Sequence, residues 1–290
     1  MWILFALASA LFAGITAILA KIGIKDTDTN LATALRTVVV LLFAWLMVFV
    51  VGTQSTLSTI SAKTLVFLIL SGLATGGSWL CYFKALQTGD INKVIPIDKS
   101  STILTMLLSM IFLGEAATPI KIGAMLLIGF GTYLMIERKK APATTTKRES
   151  QGYKWLFYAL LSAIFASLTA ILGKVGIENI DSNLGTAIRT FVVLVMAWLI
   201  VFIQKKHLEL KQINKRSWLF ICLSGLATGF SWLCYYRALQ MGPASIVVPI
   251  DKLSILITVF FGYFIFHEKL KKQSVLGLLM IVVGTLSLLI

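Results

Sequence analysis

Apolar residues occupy this chain in ten long blocks, and short polar stretches separate the blocks. Each block has about 18 to 25 residues, which at a helical rise of roughly 1.5 Å per residue is enough to cross a hydrocarbon core of about 30 Å. The pattern therefore predicts an all-α integral membrane protein with ten transmembrane helices. The predicted helices cover residues 2–23, 31–51, 64–84, 93–113, 119–136, 155–176, 184–203, 217–238, 245–266 and 273–290.

The second half of the sequence repeats the first. Residues 2–137 align without a gap with residues 155–290, and about 60 of the 136 aligned pairs are identical. An odd number of spans in each half makes the second copy enter the membrane from the opposite side. We therefore expect two inverted five-helix repeats, at 1–137 and 155–290, joined by a polar, basic linker at 138–154. Such a duplication in an apolar chain is typical of transporters.

Basic residues are distributed unevenly between the two sets of connections. Eighteen of the 26 Lys and Arg residues lie in or beside the connections after the first, third, fifth, seventh and ninth helices, and only four lie in the opposite set. Lys and Arg in short loops mark the cytoplasmic side, so we expect the linker in the cytoplasm and both termini outside, in the cytoplasmic (inner) membrane. Because these charges flank membrane spans, nucleic acid is not an expected partner.

Six charged side chains fall inside the predicted helices, as three pairs of repeat equivalents. A charge at bilayer depth is costly, so each is a candidate functional residue. We interpret the Asp and Lys pairs as a coupling or charge network, with neutralisation of partners that lock the bundle as the alternative. The arginines are candidate substrate ligands, or they reach to the nearby interface. The pairs are Arg36 with Arg189, Asp98 with Asp251, and Lys99 with Lys252.

A stripe of hydroxyl side chains follows the third helix of each half. Steps of four, three and four residues keep these side chains on one helical face. Together with neighbouring indoles, they predict a substrate-binding surface in a central cavity. Glycines spaced four residues apart on the same helices favour close helix packing as the alternative. The residues are Ser71, Thr75, Ser78, Trp79 and Tyr82, with Ser224, Thr228, Ser231, Trp232 and Tyr235.

The sequence carries no signature of catalysis or metal binding. It has no HExxH motif, no spaced set of Cys and His ligands and no GxxxxGK[ST] phosphate loop. We therefore expect no enzymatic activity, no cofactor and no metal site, and an ATP-driven pump is disfavoured. The substrate would then move by ion-coupled or uncoupled transport.

Four patterns recur in both halves in the same order: an Ala-X-Arg-Thr element, an aromatic end of the third helix, a proline helix that ends before a glutamate, and a glycine-rich last helix. They are Ala34-Leu-Arg36-Thr and Ala187-Ile-Arg189-Thr, Tyr82-Phe-Lys-Ala-Leu and Tyr235-Tyr-Arg-Ala-Leu, Pro96 to Glu115 and Pro249 to Glu268, and residues 123–135 and 277–289. With these patterns the whole chain resembles the EamA family of the drug/metabolite transporter superfamily. The resemblance implies ten helices, a central cavity, alternating access and export of small metabolites.

The leading hypothesis is a secondary transporter that exports small polar or amphipathic metabolites, such as amino acids or related compounds, with protons as the candidate coupling ion. The alternative is a flippase for a lipid-linked sugar precursor, a role also found in this superfamily. The expected partners are a small-molecule substrate and the lipid bilayer, and the chain is expected to act as a monomer or homodimer.

The charge asymmetry predicts that the linker is inaccessible from outside the cell. A cysteine that replaces Thr145 should resist an impermeant maleimide added to intact cells and should react once the cells are permeabilised. Ready labelling in intact cells would reverse the predicted orientation.

Overall fold

The structure, a computed structural model, describes residues 1–23, 27–88, 91–135, 153–267 and 271–290, and every regular element in these ranges is helical. This confirms the predicted all-α class. The first half contains α1 (Trp2–Gly23), α2 (Thr29–Val51), α3 (Ala62–Thr88), α4 (Ile91–Lys99), α5 (Ser101–Phe112) and α6 (Pro119–Met135). The second half contains α7 (Lys154–Gly176), α8 (Ser182–Ile203), α9 (Lys215–Met241), α10 (Ala244–Lys252), α11 (Ser254–Phe266) and α12 (Lys272–Ser287). Most of the predicted linker, 138–154, lies outside the described residues.

The predicted count of ten full membrane spans is not confirmed. Eight segments in the described ranges are long and apolar enough to cross a membrane, with α4 and α5 counted as one segment and α10 and α11 as another. Within the described residues the last helix of each half is shorter, with 17 residues in α6, which ends at the last described residue of its range, and 16 in α12. At 1.5 Å per residue the described parts of these two helices rise about 25 Å.

The fourth predicted span of each half is a broken helix. Residues 93–113 were expected to form one helix, but α4 ends at Lys99 and α5 begins at Ser101. The break follows a proline, which lacks an N–H and disturbs the hydrogen-bond ladder around it. Pro249 precedes the same break between α10 and α11. As a result, the Asp-Lys pairs lie where a helix ends near mid-depth, a usual position for transporter binding sites.

Helices of one half pack against helices of the other in two equivalent pairs. α1 runs antiparallel to α9, because Ser9 contacts Ser231 whereas Thr16 contacts Thr228. The repeat-equivalent contacts join α7 with α3: Ser162 contacts Ser78, and Thr169 contacts Thr75. Since α1 and α3 cross the bundle in the same direction, α7 runs antiparallel to its own equivalent, α1. The two halves are therefore inverted relative to each other.

Successive spans alternate in direction, which gives the bundle two distinct ends. Residues 1 and 290 lie at one end, called here the terminal end. Residues 135 and 153, which flank the linker, lie at the other, called the linker end.

A hydrophobic cluster closes the terminal end. It joins α1 and α9 with α3, α7 and α10, and so it spans both equivalent helix pairs. The equivalent cluster at the linker end consists of Ala85, Val94 and Ala159, and among the described residues it joins only α3, α4 and α7. The buried residues of the terminal cluster are Ala6, Leu68, Ala170, Ile177, Tyr236, Ala238, Leu239, Ala244, Val247, Val248 and Ile250.

Glu115 adds a polar contact between the halves at the terminal end. Its carboxylate accepts hydrogen bonds from the N–H groups of Ala244 at 2.6 Å and Ser245 at 3.0 Å, and from the Ser245 hydroxyl. The ammonium groups of Lys121 and Lys174 each lie 3.9 Å from it. An anion at a helix N-terminus is favoured by the unpaired N–H groups there. The α5–α6 connection is thus fixed to the start of α10.

Candidate functional site

Two carboxylates from opposite halves form the polar centre of the bundle. Asp98 accepts a hydrogen bond from Ser162 Oγ at 2.8 Å, and Asp251 accepts one from Ser9 Oγ at 2.6 Å. Each serine belongs to the other half, so each carboxylate is held by the half to which it does not belong. The Asp98 and Asp251 side chains are 19% and 17% exposed. A carboxylate in such a position needs a donor to offset its lost hydration.

The same serines connect the carboxylates to the hydroxyl stripe. Ser9 Oγ lies 3.3 Å from Ser231 Oγ, which also donates to the Ser9 carbonyl at 3.1 Å. Ser162 and Ser78 repeat the contact, with their hydroxyl oxygens 3.4 Å apart. Each centre therefore contains a carboxylate from α4 or α10 and two serines from a crossing helix pair.

Lys99 and Lys252 follow the two carboxylates and face accessible space. Their side chains are 60% and 51% exposed, although both lie near the middle of the membrane-spanning segments. The nitrogen of each lies 3.9 Å from an oxygen of the preceding aspartate. The two ammonium groups are also close enough across the halves to repel each other.

Six hydroxyls predicted to line a cavity are instead packed between helices. All are at most 8% exposed. Ser71 Oγ, for example, donates to the Thr169 carbonyl at 2.8 Å. A side chain at Gly72 would meet Val192 at 2.6 Å, so the small residues do permit close packing. The expected cavity-facing orientation is therefore corrected for this conformation, and a role in binding stays a prediction. The six residues are Ser71, Thr75, Ser78, Ser224, Thr228 and Ser231.

Arg189 is buried in a contact between α8, α3 and α9. Its side chain donates to Ser71 Oγ at 3.3 Å through Nε and to Thr75 Oγ1 at 2.7 Å through Nη2. The guanidinium carbon lies 5.1 Å from the centre of the Trp232 ring and 4.7 Å from that of Tyr236. Only 2% of the residue is exposed, so it does not reach to an interface. Instead, it attaches the first half to the second.

Arg36, the repeat equivalent of Arg189, has different surroundings. It is half-buried, and within the described ranges its guanidinium makes no hydrogen bond, ion pair or ring contact. Its equivalent hydroxyl partners would be Ser224 and Thr228. The position of Tyr236 is taken in the first half by Phe83. Two equivalent arginines are therefore in different states in the same structure.

The predicted aromatic residues keep part of their surface accessible. Trp79, Tyr82, Trp232 and Tyr235 are all half-buried. Tyr82 interacts electrostatically with Asp98, and Tyr235 does so with Asp251. Each of these tyrosines is therefore within electrostatic range of one carboxylate, whereas Trp232 is used in the contact with Arg189.

The sequence reasoning missed the hydroxyls of the first helix in each half. Ser9 and Ser162 are the donors to the two carboxylates, and Thr16 and Thr169 lie seven residues further along. Both pairs are retained at the offset of 153 residues, and a step of seven keeps them on one helical face. That signal was present in the sequence but does not stand out, because Ser and Thr are common in apolar helices. Among the described residues, no cluster of His, Cys, Asp or Glu suits a metal ion.

Comparison with known proteins places the chain in a family. The profile of the EamA-like transporter family matches residues 1–137 and again residues 153–290. The chain therefore belongs to the EamA-like transporter family, which confirms the resemblance found in the sequence. It is a multi-pass membrane protein, and its family and its transporter-named relatives point to a transporter.

Two relatives agree with this class, and one solved structure shares the fold. An uncharacterized transporter in the cobO 3′ region of Sinorhizobium sp. is 48% identical over 134 residues, which are 46% of this chain and 95% of that protein. The uncharacterized transporter YxxF of Bacillus subtilis (strain 168) is 25% identical over 213 residues, or 71% of this chain and 64% of that one. A crystal structure that shares 15% sequence identity superimposes with a TM-score of 0.75, over 99% of this chain and 96% of the other. This last likeness shows the fold alone.

The two arginines are expected to differ in their effect on stability. Arg189→Gln removes a buried cation, its hydrogen bonds and its ring contacts, and should lower the free energy of unfolding by about 2 to 4 kcal/mol. Arg36→Gln is the matched control, because the equivalent side chain has no such partners, and it should cost well under about 1 kcal/mol. Thermal unfolding of the two purified variants in detergent would show the difference. Equal shifts in the melting temperature would contradict the assignment.

Proposed function

We propose that this protein is a secondary transporter of the cytoplasmic membrane that exports small polar or amphipathic metabolites by alternating access, coupled to protons. Amino acids and related compounds are the substrate class, and the export direction is that of the family it resembles. In the predicted orientation, the linker end faces the cytoplasm. The observation that carries the proposal is that equivalent hydrophobic clusters differ between the two ends of the bundle within the described residues.

The difference between the ends supports alternating access. Among the described residues, the hydrophobic cluster at the terminal end joins five helices of the two halves, whereas the equivalent cluster at the linker end joins only α3 and α4 with α7. Glu115 adds a polar contact between the halves at the terminal end. Equivalent sequences in two inverted halves make the opposite arrangement available at similar free energy. The described conformation then corresponds to a state that is open toward the cytoplasm and closed toward the outside.

The arginine pair fits the same exchange. In the described state Arg189 binds Ser71 and Thr75. In the exchanged state Arg36 would bind the equivalent hydroxyls of Ser224 and Thr228, and Arg189 would be released. One arginine would therefore stabilise each state, in agreement with their different surroundings.

The aspartates supply the coupling group in this proposal. Asp98 and Asp251 depend on a serine of the opposite half for their hydrogen bond. A movement of one half against the other would change that contact. A carboxylate that loses a donor in a poorly hydrated site binds a proton more readily. Proton uptake and release can thereby follow the conformational change.

Replacing the carboxylates should uncouple transport from protons. The parent protein is reconstituted in liposomes that contain the pH-sensitive dye pyranine, and the twenty amino acids are added one at a time. The internal pH should change when the transported amino acid is added. Asp98→Asn and Asp251→Asn keep the side-chain shape but lose the proton site. Each variant should reduce the change in internal pH by at least about tenfold. Exchange of the radiolabelled amino acid across the liposome membrane should continue.

Asp181→Asn provides a matched control. Asp181 caps α8, where it accepts hydrogen bonds from the N–H groups of Asn183 and Leu184, and asparagine caps helices equally well. This variant should keep the parent's proton movement. Parent-like proton movement in both Asp98→Asn and Asp251→Asn would reject the coupling, and a parent protein that moves protons with none of the amino acids would reject the substrate class.

A further inference from the structure

Two repeat-equivalent lysine side chains, one from each half, lie within electrostatic range of each other. Lys99 and Lys252 are repeat equivalents, and their ammonium groups repel each other. The two halves are related by a pseudo-two-fold axis, and two equivalent groups that come close to each other must both lie close to that axis. Since both residues end a half-length helix, they also lie near mid-depth. The pair therefore occupies the position where the binding sites of inverted-repeat transporters are found.

Neither ammonium group is satisfied by the protein. The nearest acceptor of each is an aspartate oxygen at 3.9 Å, beyond the range of about 2.7 to 3.2 Å for a hydrogen bond. The short contacts of those carboxylates go to Ser162 and Ser9 instead. Within the described ranges, neither lysine has another hydrogen bond or ion pair. Because each ammonium group has three N–H donors, the two lysines together present six donors to accessible space.

Two such cations in the middle of an apolar bundle call for an anion. A charge at this depth is costly unless it is paired, and like charges raise the cost further. The half-exposed side chains leave space for a partner that the protein does not provide. We infer that Lys99 and Lys252 together bind a small organic dianion, either a dicarboxylate or a phosphate monoester, across the two halves.

This inference rests on the proposed transport function and narrows its substrate class. A dianion can accept hydrogen bonds from both ammonium groups, which the adjacent carboxylates do not hydrogen-bond, whereas a monoanion offers a charged acceptor to only one of them. The same centre would then hold the substrate and the carboxylates proposed for coupling.

Binding can be measured on the purified full-length protein in detergent by calorimetry and thermal unfolding. Succinate tests the dicarboxylate and glycerol 3-phosphate tests the phosphate monoester, with butyrate as the monoanion and potassium chloride at equal ionic strength. At least one dianion should raise the melting temperature of the parent and bind at least about tenfold more tightly than butyrate. If only one of the two binds, the class is thereby identified. If neither binds, the inference is overturned.

Variants locate the site. Lys99→Gln and Lys252→Gln should each weaken dianion binding by about ten- to a hundredfold, the usual effect of losing a charged hydrogen-bond partner. Lys63→Gln, which removes an exposed lysine at the start of α3, is the matched control and should bind like the parent. Lys99→Arg and Lys252→Arg keep the cation and should keep most of the affinity, which guards against a simple loss of fold. Parent-like binding by both Gln variants would overturn the assignment.

The inference and the transport proposal fail in different ways. If zwitterionic amino acids drive proton movement in liposomes but no dianion binds, transport stands and the lysine site is rejected. If a dianion binds through the lysines but is not moved across the liposome membrane, the site stands and the transport proposal is rejected.

Discussion

Charged groups in the middle of a bilayer must find their partners within the protein, and this constraint organises the whole structure. Each half supplies an aspartate, a lysine and an arginine at depth, and both aspartates and Arg189 are held by residues of the other half. Asp98 is held by α7, Asp251 by α1, and Arg189 reaches from α8 to α3. The halves are consequently joined by polar contacts that form only across the repeat boundary. A movement of one half against the other must break or exchange those contacts.

The two halves are related in sequence, with about 60 of 136 aligned residues identical, but their contacts differ. The aspartate centres have the same hydrogen bonds in both halves, whereas the arginines and the hydrophobic clusters of the two ends differ among the described residues. Some of these differences follow substitutions, such as Phe83 in the position equivalent to Tyr236. Others arise between identical residues, as with Arg36 and Arg189. A difference of that kind is a property of the conformation, as alternating access by exchange of the two halves requires.

The fold was largely predictable because hydropathy and repetition are strong signals. The ten apolar blocks, the duplication and the odd number of spans led to the prediction of an inverted-repeat helical bundle, and the family match supports a membrane transporter with one EamA-type unit in each half. Helix lengths and breaks were less accessible. Pro96 and Pro249 marked the place of the breaks, but a proline bends, breaks or begins a helix depending on tertiary contacts.

The site was only partly predictable. The residue types that carry charge were found, since an ionisable side chain in an apolar helix stands out. The orientation of the hydroxyl stripe was wrong for this conformation, because helical spacing defines a face but not its neighbour. Ser71 and Ser78 face α7 rather than a cavity, and nothing in their own helix distinguishes the two possibilities. The serines that hold the carboxylates were missed for the same reason.

Exchange of the two halves can be measured most directly as a pair of distances. Two pairs of positions are equivalent in the two repeats. One pair, at the linker end, is Lys84 with Arg216, and the other, at the terminal end, is Lys63 with Arg237. Spin labels at each pair, in a cysteine-free protein in lipid nanodiscs, should give different distances by pulsed electron resonance. A change between pH 5 and pH 8 should lengthen one distance while it shortens the other. Equal distances at both pH values, or two distances that change in the same direction, would contradict the account.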